Sequence, residues 1–336
     1  MTRKPLWEPS SELIRNSNIQ KFINEVNHEY SLDIKSYSHL HDWSIRNIDK
    51  FWNKLLSFSD IIYDGKVKFV VDDESKMPGA KWFDGIVLNY AENLLKYSDD
   101  SIAIESYNES NEKIVLTYAE LHCKVASLSS YLRSIGVNKG DRVAAITPNI
   151  PEAIIMMLAA SSIGAIWTSC SPDFGVNAIL DRFEQVEPKV LLVSDGYVFK
   201  GKYFSIDSKV EFILDKLNSL ISIVSVSYIK KTKISDNIDG RIIFWEAIVS
   251  SHLETNIDFE KLPFDHPLYI MYSSGTTGKP KSIVHSSGGT LMQHLKEHLL
   301  HVNLKKKDKM FYFTTCGWMM WNWLVSSLSI GSTVVL

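Results

Sequence analysis

The period of the apolar positions changes near residue 96, and the change divides the chain into two regions. Up to residue 95, aromatics mix with charged helix formers, and no strand-like alternation occurs before 66–71. Ser10-Ser11-Glu12 and Ser44-Ile45-Arg46 read as capped starts of amphipathic helices. Trp7, Trp43, Trp52 and Trp82 read as packing anchors. From about residue 101, short β-branched runs alternate with helical stretches. Strands are expected at 102–105, 113–116, 142–146, 165–168, 189–193 and 221–229. Helices are expected from the capping box Thr117–Glu120 to residue 135, from Pro151 to 164, at 177–185 and at 209–220. This alternation predicts an α/β fold with a largely parallel sheet, whose ligands gather at the carboxyl ends of its strands. The expected organisation is a cap region, 1–95, followed by a larger domain, 96–336.

One stretch breaks the rhythm in an informative way. Two short apolar runs, Leu268-Tyr269-Ile270-Met271 and Ile283-Val284-His285, bracket Ser273-Ser274-Gly275-Thr276-Thr277-Gly278-Lys279-Pro280-Lys281. The bracketed loop holds four hydroxyls, two glycines and two lysines. Glycines let main-chain N–H groups approach an anion, and the hydroxyls and ammonium groups add donors, as a polyphosphate requires. It is not the NTPase P-loop: Gly278-Lys279 is followed by Pro280, and Ser273 stands where the first glycine belongs.

The chain has 336 residues, 45% hydrophobic and 22% charged, with a net charge of −3. That balance offers no electrostatic footprint for nucleic acid or an anionic membrane. Cys123, Cys170 and Cys316 are widely separated, which points to a reducing compartment without disulfides or a zinc site. The first residues lack a signal peptide's apolar core, so a cytoplasmic protein is expected. Residues 310–336 carry no charged side chain, long enough for a membrane span. Polar residues throughout that stretch favour a buried strand–helix–strand unit instead. His294-Leu295-Lys296-Glu297-His298 has the spacing of a zinc helix. A buried stripe of Leu291, Leu295, Leu299 and Val302 would leave His294, His298 and His301 at the surface or boundary, and no metal site is assigned.

The loop Tyr272-Ser273-Ser274-Gly275-Thr276-Thr277-Gly278 closely resembles the signature of the adenylate-forming, or AMP-binding, acyl-CoA synthetase superfamily. The resemblance extends over nearly the whole chain. It includes Leu6-Trp7-Glu8-Pro9, Pro148-Asn149-Ile150-Pro151-Glu152-Ala153, Ser169-Cys170-Ser171-Pro172-Asp173-Phe174-Gly175 and Gly317-Trp318-Met319-Met320-Trp321-Asn322. Within the superfamily these segments are more similar to the acetoacetate–CoA ligases than to acetyl- or propionyl-CoA synthetases, because Trp321-Asn322 stands where the latter carry Gly-His.

The resemblance implies a helical cap, with Trp82 to Leu95 as the entry helix, followed by the first part of a layered AMP-binding domain with mostly parallel sheets. It implies ATP, Mg2+, coenzyme A and a short carboxylate such as acetoacetate as ligands, and no nucleic-acid or membrane partner. Ser273, Ser274, Gly275, Thr276, Thr277, Gly278, Lys279 and Lys281 would hold the ATP phosphates. Of these, Lys281 and Thr276 would act on the departing pyrophosphate, and Lys279 would lie nearer the rim. Gly317, Trp318, Trp321 and Asn322 would form the acyl pocket. Lys200, Gly201 and Lys202 align with the segment that meets the coenzyme A 3′-phosphate, although a plain surface turn fits them equally well. The implied reaction is adenylation of the acid followed by thioester formation. The superfamily's later motifs, for adenine, ribose and the adenylating lysine, are not found by residue 336. The expectation is a partial enzyme, unable to complete the reaction alone and prone to aggregate through a cut strand at 332–336, with a missing C-terminal half as partner. The other readings are an acetate or propionate ligase, and a non-catalytic remnant or partner-binding fragment of a broken gene.

Overall fold

The computed structural model describes residues 6–110, 112–230, 240–252, 254–273 and 278–336. A seven-stranded sheet forms its centre. The strands are β1 (Arg142–Ile146), β2 (Ile166–Cys170), β3 (Val190–Ser194), β4 (Ser222–Val226), β5 (Ile242–Phe244), β6 (Pro267–Tyr272) and β7 (Ser282–Ser286). Their spatial order is β5-β4-β3-β1-β2-β6-β7, and only the β6–β7 hairpin is antiparallel. β2, β3 and β4 are buried along their whole length, as unbroken apolar runs in a parallel sheet require.

Among the helices that accompany these strands are α1 (Pro151–Ser162), α2 (Val176–Phe183), α3 (Ser287–Lys296) and α4 (Met319–Ser326). Pro151 opens α1, where its missing N–H costs nothing, and nearly every α1 side chain is buried. Burial of each large apolar residue there contributes about 1.5–3 kcal/mol. The capping box of Thr117 and Glu120 is formed and starts the helix Tyr118–Ser134, which packs on α1. One core cluster runs from Phe22 to Leu336, so the N-terminal helices share it with the sheet.

Several expectations change. Ser44 lies inside the helix Tyr37–Arg46, and the next helix, Ile48–Phe58, starts after Asn47, whose Nδ2 donates to the Trp43 carbonyl at 3.0 Å. Trp82–Leu88 is a strand, and only Tyr90–Leu94 is helical. The strand pairs with both Asp64–Val71 and Leu262–Pro263, which tie the N-terminal region to the sheet domain. Trp7 is 72% exposed, because the five-residue helix after it, Ser11–Arg15, buries nothing. Trp43, Trp52 and Trp82 do pack against the core.

Residues 310–336 contain a strand–helix–strand unit, and among the described residues no helix is long and apolar enough to cross a membrane. The strand Thr333–Val335 is not an exposed edge. It lies inside a four-stranded sheet, between Lys309–Phe311 and Ile102–Tyr107, with Lys113–Thr117 beyond. Leu336 accepts from Tyr107 N at 3.0 Å and donates to the Glu105 carbonyl at 2.9 Å.

The histidine pair is also relocated. His294 and His298 are 2% and 0% exposed, so both are core residues and not boundary ones. The buried stripe of α3 runs through Leu291, His294 and Leu295 and continues to His298 beyond the helix. A single π turn, Glu297–His301, then inserts an extra residue, turning Leu300 inward while Leu299 is half-buried and Val302 is exposed.

Candidate functional site

The β6–β7 connection leaves the carboxyl end of β6, next to β2, where an open parallel sheet presents its ligand crevice. Ser273 N donates to the Lys281 carbonyl at 3.0 Å and closes the base of the loop. Gly278 has φ +112°, a conformation L side chains rarely adopt. Ser274, Gly275, Thr276 and Thr277 lie outside the described residues. The second arm of the loop is held by α2 and the residues after it. Gln185 Nε2 donates to the Pro280 carbonyl at 2.9 Å, and Ser282 Oγ lies 3.2 Å from Gln185 Oε1. Lys279 points back onto the same segment, 3.4 Å from Asp181 Oδ1 and 3.4 Å from Glu184 Oε2. Lys281 is exposed and has no carboxylate partner among the described residues. The two lysines thus differ electrostatically: one is paired beside α2, and the other leaves its charge open.

Beneath the loop, Tyr272 is clamped from two sides. Thr168 Oγ1 lies 2.9 Å from its hydroxyl, and the Arg182 guanidinium sits 5.6 Å from its ring centroid and 5.0 Å from that of Phe174. Burial pushes the phenol's pKa up, so Tyr272 acts as a neutral wall and not as a base.

The opposite wall is the turn before α4. Ser169 Oγ donates to the Cys316 carbonyl at 2.5 Å, and Cys316 Sγ lies 3.0 Å from the Thr147 carbonyl. A side chain on Gly317 would meet the Ser169 carbonyl at 3.4 Å, so the turn is seated directly on the end of β2. Trp318 is 60% exposed at the mouth of this wall. Trp321 is fully buried behind it, stacked on Trp167 at 6.3 Å, and its Nε1 donates to Asn149 Oδ1 at 2.8 Å. Asn322 is also buried, with Nδ2 3.2 Å from Met271 Sδ on β6. Its Oδ1 and the Thr315 hydroxyl are buried without partners, two orphaned polar atoms on this wall. Burial raises the Cys316 thiol to about 11 and the Cys170 thiol to about 12, so neither is a nucleophile at neutral pH.

Lys200, Gly201 and Lys202 form the tip of the hairpin Gly196–Phe199/Lys202–Ser205, which follows β3 directly. Lys200 and Gly201 both have positive φ, and their N–H groups converge on the Glu109 carboxylate at 3.1 and 2.7 Å. The tip is therefore an anion nest, held by an internal carboxylate. The hairpin is anchored by Asp195, which accepts from Tyr228 N, Ile229 N and Lys230 N. Among the described residues no three His, Cys, Asp or Glu side chains are grouped to hold a metal ion.

Residues 91–336 match the family model described as AMP-binding enzyme. The chain belongs to the AMP-binding enzyme family. Residues 37–94 match a second model, acetyl-coenzyme A synthetase N-terminus. The chain is 42% identical to acetoacetyl-coenzyme A synthetase of Rhizobium meliloti over 333 residues, 99% of this chain and 51% of that protein. It is 43% identical to acetoacetyl-CoA synthetase of Danio rerio over 344 residues, all of this chain and 51% of the relative. The solved structure of acetoacetyl-CoA synthetase from Streptomyces lividans superposes with a TM-score of 0.94 at 40% identity, covering 99% of this chain and 51% of that one. The chain spans about half the length of the curated relatives it matches. The sequence alone does not point to Gln185, Asp181 and Glu184, which contact the β6–β7 loop, or to Thr168, which bonds Tyr272 at the end of β6. Ordinary polar side chains in a helix or strand carry no local signal of what they touch across the sheet.

Proposed function

We propose that the protein is an acetoacetate–CoA ligase, acting on MgATP, acetoacetate and coenzyme A in the cytoplasm, with residues 1–95 as its cap and 96–336 in its adenylation domain. An acetoacetate carboxylate oxygen attacks the α-phosphorus of ATP, the bond to the β-phosphate oxygen breaks, and pyrophosphate leaves. The sulfur of coenzyme A then bonds to the acyl carbon, and AMP departs with the oxygen of the broken acyl–phosphate bond. Lys281 and the hydroxyls of Ser273, Ser274, Thr276 and Thr277 neutralise and orient the phosphates. Preorganised charge of this kind is usually the largest contribution to catalysis. Trp318 walls the acid, while Trp321 and Asn322 hold that wall from behind. The nest at Lys200-Gly201-Lys202 takes the coenzyme's 3′-phosphate in place of Glu109.

The observation that carries the reading is the pairing of a hydroxyl- and lysine-rich loop at the end of β6 with the Gly317-Trp318 turn seated on β2. The test is acid-dependent exchange of pyrophosphate into ATP, comparing acetoacetate, acetate and propionate. It is run on the 336-residue chain and on a form lengthened to the size of its relatives. Exchange in the longer form is expected to favour acetoacetate by at least about tenfold, the scale of discrimination between short acids. A preference for acetate or propionate would replace acetoacetate as substrate, and exchange with none of the acids would overturn the ligase reading.

A further inference from the structure

A second concavity lies away from the sheet's carboxyl ends, between the N-terminal helices and the π turn that extends α3. It has a volume of about 390 Å³ and is floored by Leu40, Phe51, Trp52 and Leu300. Its flanks come from the helices Tyr37–Arg46 and Ile48–Phe58, with Lys296 and His301 at one edge. The volume lies within the range of small-molecule sites, and the mix of aliphatic and aromatic lining is typical of them.

Two independent features mark this groove as more than a packing gap. The first is charge. Among the described residues no aspartate or glutamate lines it, whereas Lys296 does; His301 and His41 also line it, the latter 3.9 Å from Asp42 Oδ1. The Lys296 side chain is only 20% exposed, and its one ion partner among the described residues is Glu297 Oε1 at 4.0 Å. That carboxylate oxygen already accepts from Gln293 Nε2 at 2.8 Å. The ammonium of a largely sheltered side chain is thus weakly compensated beside an apolar floor, where an anion would be favoured. The second feature is the π turn itself, Glu297–His301, which turns Leu300 to the groove floor and His301 to its edge. This π turn closes the helix, so the change of phase falls at the groove itself.

We propose that this groove binds a medium-chain carboxylate, its alkyl chain along Leu40, Phe51, Trp52 and Leu300 and its head group on Lys296. The groove stands apart from the ligase reading, because it uses none of the residues assigned to the phosphates, the short acid or the coenzyme. The probe is sodium octanoate, titrated into the 336-residue chain by calorimetry and by tryptophan fluorescence, with 1-octanol as the uncharged control. Saturable one-site binding is expected. Removing the ligand's charge, or making Lys296→Met, should weaken it about tenfold, the effect of one partly buried ion pair. Ser44→Glu puts a carboxylate into the groove and should weaken octanoate similarly. Far-UV circular dichroism and the thermal midpoint check that both variants remain folded. No saturable binding by the parent chain, or equal octanoate affinity in parent, Lys296→Met and Ser44→Glu, overturns the proposal.

Discussion

His294 and His298 lie one turn apart in the core, and what they lack matters more than what they touch. His298 Nε2 donates to the Trp323 carbonyl at 2.9 Å, but the Nδ1 atoms of both rings are buried without partners. Burial holds both imidazoles neutral, lowering His294 to about 3 and His298 to about 4. The unfolded chain protonates them near their ordinary value of about 6.5, so below that pH the unfolded state binds more protons. Their contribution is complete above about pH 6.5 and is lost as pH falls toward the folded values, by up to about 1.4 kcal/mol per pH unit for each ring. Urea unfolding between pH 7 and pH 5 should show this slope, and His298→Gln should flatten it; a pH-independent midpoint would contradict the burial argument. Cysteine chemistry follows the same logic. Cys123 is exposed, whereas Cys170 and Cys316 are buried with raised thiols. A thiol reagent at neutral pH should label Cys123 alone in the folded protein and all three cysteines in denaturant. Rapid labelling of Cys316 in the folded chain would show that the turn before α4 opens.

Elements explain how much of the site is legible in the sequence. The loop from Ser273 to Lys281 announces itself because glycines, hydroxyls and lysines are concentrated between two apolar runs. Capping at Thr117 and the Pro151 start of α1 are equally local signals, and both elements form as expected. The π turn is not legible. A helical wheel assumes a constant 3.6-residue period, and one inserted residue re-phases everything after Lys296. The strand Trp82–Leu88 also escapes sequence reading: it pairs both with Asp64–Val71 and with the distant Leu262–Pro263, and tertiary pairing overrides local propensity. Gln185 escapes it because its contacts to the loop are long-range. Gln185→Ala removes the bond to the Pro280 carbonyl and should weaken MgATP binding about fivefold, the worth of one neutral hydrogen bond, without moving the thermal midpoint appreciably. At the base of α3, a side chain on Gly288 would stand 2.2 Å from the Phe264 ring. Gly288→Ala should therefore lower stability by about 2 kcal/mol, read by urea titration.

On the scale of the whole molecule, one core joins the N-terminal helices, the central sheet and the four-stranded sheet that contains Thr333–Val335. That strand is a structural interior, so the aggregation liability moves to its neighbour. Among the described residues Lys309–Phe311 is an edge strand, with Phe311 on it 61% exposed and Phe313 just beyond it 89% exposed. Phe311→Ser with Phe313→Ser should raise solubility, whereas Val334→Asp should unfold the chain by burying an unpaired charge. In the proposed function, everything turns on the β6–β7 loop receiving the phosphates of ATP, with Lys281 as its open positive charge. Calorimetric titration of MgATP into the 336-residue chain is the decisive experiment. Saturable binding is expected, and Lys281→Met should weaken it by at least about tenfold, the scale of one charge-assisted contact. Lys279→Met should lose less, because that ammonium already faces Asp181 and Glu184. MgATP binding that is absent from the parent chain, or unchanged in Lys281→Met, would contradict this role for the loop.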